Sequence, residues 1–266
     1  MQINKYFLLI ILIIGSHISA NAGFLVTGSL VKEKTVSPGQ DYQVIIHVKQ
    51  TGGKSDRLKI YQNDYFFDYT GKSYYSAPGK LKRSNADWIE IQNNEFILNT
   101  NEEKGILLDV HVPQNDSLKG TYWSTVMIEG VNEDDANPSG QITIHSHIRY
   151  AIQLLSNFAD TGSNLLKFHT PKLLNKSTGQ KALQVILSND GDYVLSPALS
   201  LELFNSQTGS SSEKKTLSPK ELLPGTSRTF EFPLDSIANE NQKYIAVIVA
   251  DGKGENIFGI QYPLEL

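Results

Sequence analysis

The stretch that decides the fold runs from Gln141 to Leu154 and reads QITIHSHIRYAIQL. Ile142, Ile144, Ile148, Tyr150, Ile152 and Leu154 occupy one parity, interrupted only by Ser146, while Gln141, Thr143, His145, His147, Arg149 and Gln153 occupy the other. Alternation of this kind is the mark of a β-strand with one apolar and one polar face, because successive side chains leave a strand on opposite sides. At about 3.3 Å per residue the stretch would span roughly 45 Å, far longer than an average strand. A strand of that length outgrows one small sandwich and is expected to run through one domain toward a second. It can also offer an apolar ridge to the sheet edge of a partner.

Outward from this strand the chain keeps the same character. Phe24 to Val36, Tyr42 to Val48, Arg57 to Tyr69, Trp88 to Ile91, Glu95 to Leu98, Gly105 to Val112 and Tyr122 to Val131 are rich in β-branched and aromatic residues. Turn formers such as Ser37-Pro38-Gly39, Thr70-Gly71, Ala77-Pro78-Gly79 and Asn137-Pro138-Ser139-Gly140 separate them. Seven or so short strands followed by a long one describe an immunoglobulin-like sandwich. Between Ser156 and Asn164 the alternation lapses into SNFADTGSN, and beyond it strand patterns restart at Leu165 to Phe168, Ala182 to Leu187, Val194 to Phe204, Ser227 to Phe232, Tyr244 to Val249 and Ile257 to Leu264. The expected architecture is all-β: two immunoglobulin-like β-sandwiches in tandem, over residues 23–155 and 156–266.

Residues 1–22 carry a single charge, Lys5, ahead of an apolar run from Tyr6 to Ile14 and small residues ending Ala20-Asn21-Ala22. This is the pattern of a secretory signal peptide cleaved after Ala22, with cleavage after Ala20 as the alternative. The expectation is an exported protein, in the periplasm or at the cell surface, whose mature part does not insert into a membrane. The chain contains no cysteine, so its two cores must hold without disulfides. Without Lys5 the 24 basic residues become 23 against 28 acidic ones, a balance that offers no broad basic surface to nucleic acid.

Catalytic signatures are missing from the sequence: no cysteine nucleophile, no G-x-S-x-G, no H-E-x-x-H and no glycine-rich phosphate loop. We therefore expect a binding protein rather than an enzyme, with no cofactor. His145 and His147 share a strand face but find no third ligand in the pattern, and Glu133-Asp134-Asp135 lacks the spacing of a calcium loop, so no metal site is expected. The richest aromatic cluster comprises Tyr61, Tyr65, Phe66, Phe67, Tyr69, Tyr74 and Tyr75. Half of such a run must fill a core, and the tyrosines left over could form a platform for cell-wall glycan. Arg83 to Trp88 reads as a hydrogen-bonded loop with Trp88 as a core plug.

These residues resemble those of the periplasmic pilus-assembly chaperones. The long strand, preceded by the acidic loop at Glu133, is similar to the last strand of that family's first domain. Val112-Pro113-Gln114-Asn115-Asp116-Ser117-Leu118 with Tyr122-Trp123 is similar to its proline- and aspartate-containing loop and following strand, and Leu187 to Tyr193 and Leu223-Pro224-Gly225-Thr226-Ser227 are similar to its strand-turn-strand and proline-turn segments. The resemblance implies a chaperone that binds pilus or envelope subunits by strand addition. Arg149 and Lys34 would hold the carboxylate of the protein client in an inter-domain cleft, and Ile142, Ile144, Ile148 and Tyr150 would form the donated ridge. Ser37 to Gln40, the segment 58–75, Val112 to Trp123 and the ending GKGENIFGIQYPLEL also resemble the paired extracellular sandwiches of WxL-type cell-surface proteins. That likeness implies a peptidoglycan- or surface-protein-binding module instead.

Overall fold

The computed structural model describes residues 23–131, 148–177, 179–235, 237–238, 242–252 and 256–266. The proposed signal peptide, the acidic loop at Glu133 and the segment with Ile142, Ile144, His145 and His147 lie outside the described residues. The described chain is all-β apart from one turn of 3-10 helix at Ala86–Trp88. None of its helices is long and apolar enough to cross a membrane.

The first sandwich contains β1 (Phe24–Thr27), β2 (Val31–Val36), β3 (Asp41–Gln50), β4 (Asp56–Phe67), β5 (Ser73–Ser76), β6 (Ile89–Ile91), β7 (Glu95–Leu98), β8 (Glu103–His111), β9 (Gly120–Val131) and β10 (Arg149–Phe158). One sheet has the order β1-β3-β8-β6, and the other runs β2-β10-β9-β4-β5 with β7 also on β4. The stretch from Phe24 to Val36, expected as one strand, divides at Gly28. With φ at +83° this glycine adopts a left-handed conformation, and the chain crosses from one sheet to the other. β1 then pairs antiparallel with β3, and β2 pairs parallel with β10. Ile46, Leu58, Leu108, Val126, Ile128, Ile152 and Leu154 fill the space between the sheets.

The second sandwich holds β11 (Leu166–Phe168), β12 (Lys172–Asn175), β13 (Lys181–Asn189), β14 (Ala198–Asn205), β15 (Lys215–Thr216), β16 (Ser227–Pro233), β17 (Lys243–Asp251) and β18 (Ile257–Glu265). β13 joins β16 on one side and β11 and β12 on the other. The facing sheet is β15-β14-β17-β18. Leu183, Val185, Leu187, Leu199, Leu201, Leu203, Phe230, Phe232 and Ile248 form its own core.

The division between the sandwiches falls after Phe158 rather than after residue 155. Ser156 and Asn157 look like linker in the sequence, yet they continue the β10 ladder with β9 and β2, and Phe158 is buried in the first core. Ser156 is tolerated there because its hydroxyl is paired, 3.0 Å from Asn85 Nδ2 and 3.3 Å from the Tyr42 hydroxyl. Trp88 packs on Tyr122 and Phe158, as its reading as a core plug requires.

Candidate functional site

β10 has one face in the first core and the other toward the second sandwich, and the alternation sorts its residues accordingly. Ile148, Tyr150, Ile152, Leu154 and Phe158 pack inward. Tyr150 meets Phe24 edge-on at 5.4 Å and donates its hydroxyl to the Phe24 carbonyl at 3.4 Å. Ile148 and Tyr150, expected on a ridge kept free for a client, therefore close the protein's own sandwich. The reason is that a sheet leaving this apolar face uncovered would forgo the burial that stabilises the domain. Ile142 and Ile144 of the same expected ridge lie outside the described residues.

The other parity of β10, Arg149, Ala151, Gln153, Leu155 and Asn157, faces outward from the first core, and of these Gln153 and Leu155 meet the second sandwich. At the base of the space between the sandwiches Leu155 joins Phe67, Trp123 and Leu223 in a small core shared by both. Beside it Gln153 Nε2 donates to Glu221 Oε1 at 3.2 Å. Burial pushes the Glu221 carboxyl up from its ordinary value, and the nearby Glu33 adds to the effect. Glu33 itself accepts from Asn157 Nδ2 at 2.6 Å. The floor is thus lined by carboxylates and amides, with Arg228 stacked 3.4 Å over the Phe67 ring.

A polar clamp fixes the two sandwiches around this floor. Arg83 Nη2 lies 2.5 Å from Asp192 Oδ1, and Lys119 Nζ lies 3.4 Å from the other oxygen of that carboxylate. Burial alone would raise the Asp192 carboxyl, but the Ser163 backbone N–H together with Lys119 and Arg83 outweighs it and holds the group below the usual carboxylate value. Thr121 N–H donates to the Asp192 carbonyl at 2.8 Å, and Val194 N–H to the Thr121 hydroxyl at 2.9 Å. Gly120, with φ at +67°, permits this approach, since a Cβ there would lie 2.1 Å from the Asp192 carbonyl oxygen. The hairpin of β4 and β5 adds a strut through Thr229 N–H, which donates to the Tyr69 carbonyl at 2.9 Å.

The two cations expected to grip one carboxylate are not brought together. Lys34 pairs with Ser156 on the parallel ladder, sharing its side of the sheet, and its ammonium sits 5.7 Å from the Tyr42 ring. Arg149 begins β10 on the other face, a distance of about 23 Å along the strand at 3.3 Å per residue. Arg149 is exposed, with Nη1 3.5 Å from the Tyr61 hydroxyl, which in turn donates to Glu129 Oε2 at 2.9 Å.

The tyrosines expected to form one platform are also divided. Tyr65 and Tyr75 are opposite one another on β4 and β5 with ring centroids 5.3 Å apart. Tyr74 pairs with Phe66 on the reverse face, stacked at 5.0 Å. Tyr69 lies past the end of β4 with its carbonyl committed to Thr229. Tyr61, Tyr65 and Tyr75 remain on the side of Arg149.

One further property of β10 bears on binding. β2 pairs with it only from Gln153 onward, where the Gln153 N–H also donates to the Leu30 carbonyl at 2.8 Å. From Arg149 to Ile152 the strand is paired only with β9 among the described residues. The N–H and C=O groups of Arg149 and Ala151, which point the same way as those of Gln153, thus lie along a sheet edge that has no strand partner among the described residues.

Sequence reasoning missed Glu221, Asp192 and the small shared core, and read Arg83 only as part of a hydrogen-bonded loop. A signal for the last was present: Ile152-Gln153-Leu154-Leu155 breaks the alternation, and an apolar residue on the polar parity marks a strand covered on both faces.

No protein-family model matches the chain, and no curated protein matches it. Among solved structures it is similar to a chain of a chaperone–tip adhesin complex of CFA/I fimbriae biogenesis. The TM-score is 0.51 at 16% identity, over 90% of this chain and 98% of that one. It is also similar to the class 5 fimbriae chaperone CfaA, with a TM-score of 0.47 at 16% identity over 91% and 100% of the two chains. The first likeness extends over both sandwiches and shows the shared all-β fold of paired immunoglobulin-like sandwiches.

Proposed function

We propose that this protein is an exported, non-enzymatic chaperone that binds pilus or envelope subunits in the periplasm by strand addition to β10. The observation that carries the reading is the stretch Arg149 to Ile152, whose edge away from β9 has no strand partner among the described residues. Such an edge provides unpaired backbone groups in register for an incoming strand, and main-chain pairing supplies affinity with little demand on sequence. The likeness in fold to a chain of a fimbrial chaperone–adhesin complex supports a protein client. We assign the client's carboxylate to Arg149, which has Tyr61 and Tyr75 beside it and Lys59 in line across Glu129. Lys34 is left out of this role.

The test is Ala151→Pro. Proline removes one edge-facing N–H and is tolerated in an edge position, so the fold should persist. Capture of a pilin-like peptide of alternating valine and polar residues with a free C-terminus should drop at least tenfold. Unchanged capture by a folded variant would refute strand addition at this edge.

A further inference from the structure

Beside the shared small core, away from the β10 edge, the sandwiches enclose a pocket of about 370 Å³ for which the chaperone reading has no use. It exists because β4 and β9 part company. Their ladder ends at the pair Asn63 and Thr125, after which the loop preceding the 3-10 turn takes the place of β4 beside β9. Trp123 N–H donates to the Arg83 carbonyl at 2.9 Å there. The walls are Phe66, Phe67, Leu81 and Trp123 from the first sandwich and the turn Pro224-Gly225 from the second.

The loop is held in place without a ligand. The buried Asp64 carboxylate accepts from the N–H groups of Gly79, Lys80 and Leu81 at 3.1, 2.6 and 2.7 Å and from the Ser84 hydroxyl at 2.5 Å. A carboxylate spent on four donors fixes the positions of Leu81, Lys82 and Arg83, so the pocket is preorganised. Trp123 is fixed in the same way, its Nε1–H donating to the Tyr65 carbonyl at 2.6 Å. Gly225 adds a patch of bare backbone, since a Cβ there would meet nothing within 4 Å. Apolar and aromatic walls, a few fixed polar groups and a location between domains are the attributes of small-ligand sites, whose volumes start at about 300 Å³.

Two cations line the pocket, Lys82 and Arg83. Arg83 is paired with Asp192, whereas Lys82 is exposed and has no ion-pair partner among the described residues. We propose that this pocket binds an aromatic carboxylate, with the ring between Phe66, Trp123 and Pro224 and the carboxylate toward Lys82. The chemistry fits either a free aromatic acid or an aromatic side chain followed by an acidic one in a protein segment. It does not depend on strand addition at β10, and because its walls come from both sandwiches, occupancy would brace their relative orientation.

Titration of the full mature protein with indole-3-propionate, followed by calorimetry, tests the site against its neutral analogue indole-3-propanol. The acid should bind at least threefold more tightly than the alcohol, in keeping with one exposed charge pair. Lys82→Glu changes an exposed side chain and leaves the core untouched; it should abolish or reverse that preference. Phe66→Ala removes a wall and should weaken both ligands about tenfold. A blocked peptide containing Trp-Asp is the second arm. Tighter binding of the peptide assigns the site to a protein segment, and tighter binding of the free acid assigns it to a small molecule. No binding of any of the three, or affinities unchanged in both variants, overturns the proposal.

Discussion

Leu154 and Leu155 are adjacent on β10, each 2% exposed, and they enter different cores. Truncating either to alanine deletes three carbons, worth about 2.4 kcal/mol at about 0.8 kcal/mol per methylene, plus a term for the cavity that remains. Leu154 is enclosed by both sheets of the first sandwich, which can collapse only in part, so Leu154→Ala should destabilise that domain by about 3 to 4 kcal/mol. At about 4 °C per kcal/mol this lowers its melting temperature by about 12 to 16 °C. Leu155 packs with Phe67 and Trp123 of its own sandwich and with Leu223 across the junction, and a void there can be relieved by movement of one sandwich against the other. Leu155→Ala should therefore draw its roughly 2.4 kcal/mol from docking, about a fiftyfold shift toward the undocked state. Amide hydrogen exchange separates the two effects. Thr121 and Val194 N–H groups bond across the junction and report docking, whereas those of Ile60 and Ile128 report the first sandwich. We expect Leu155→Ala to accelerate the first pair by about fiftyfold and leave the second pair nearly unchanged, with Leu154→Ala accelerating both. Equal acceleration of all four amides by Leu155→Ala would refute the reasoning, because Leu155 would then support the domain's own fold.

The remaining expectations address charge and binding. Arg149→Ala should fold normally and weaken capture of a pilin-like C-terminal peptide about tenfold or more, while Lys34→Ala should leave capture unchanged; the two affinities check this by calorimetry. Asp192, depressed in the folded state, contributes stability present above its unfolded value of about 3.9 and lost as pH falls through the folded value. Exchange at Thr121 should therefore rise below about pH 4, and Asp192→Asn should remove that dependence. Glu221 is shifted the other way, so stability should decrease as pH rises from about 4.3 through its raised folded value. Glu221→Gln, which keeps an acceptor for Gln153, should raise the melting temperature at pH 7 and not at pH 4.

Period-2 alternation made the two sandwiches readable, because burial on one face imposes it on every strand. The burial of Ile152 and Leu154 on the apolar parity follows from the same rule. The split of the first strand was not readable from hydrophobicity, since β1 and β2 both present apolar residues and only the left-handed Gly28 marks the crossing. The domain boundary was misplaced for a related reason. Ser156 and Asn157 are polar, and their pairing with Asn85, Tyr42, Thr121 and Glu33 depends on residues far away in sequence. The expected pair of Arg149 and Lys34 failed on register. Parity places Arg149 correctly on the outward face, but the offset between β2 and β10 is a property of their ladder, and it sets Lys34 beside Ser156.

The clamp and the open edge complement one another physically. An edge that accepts a strand is also an aggregation hazard, and natural sheets usually cover such edges or keep them short. In this protein β2 covers β10 from Gln153 to Phe158, the part nearest the junction, and among the described residues Arg149 to Ile152 pair only with β9. The covered part is where Leu155 and Gln153 make the contacts that tie the first sandwich to the second. Parallel pairing with β2 thus protects the section of β10 that sets the angle between domains. The exposed section starts where those contacts end. A client strand added at Ala151 would extend the sheet past Leu30 without displacing any bond of the junction, so binding and domain orientation can be altered separately by mutation.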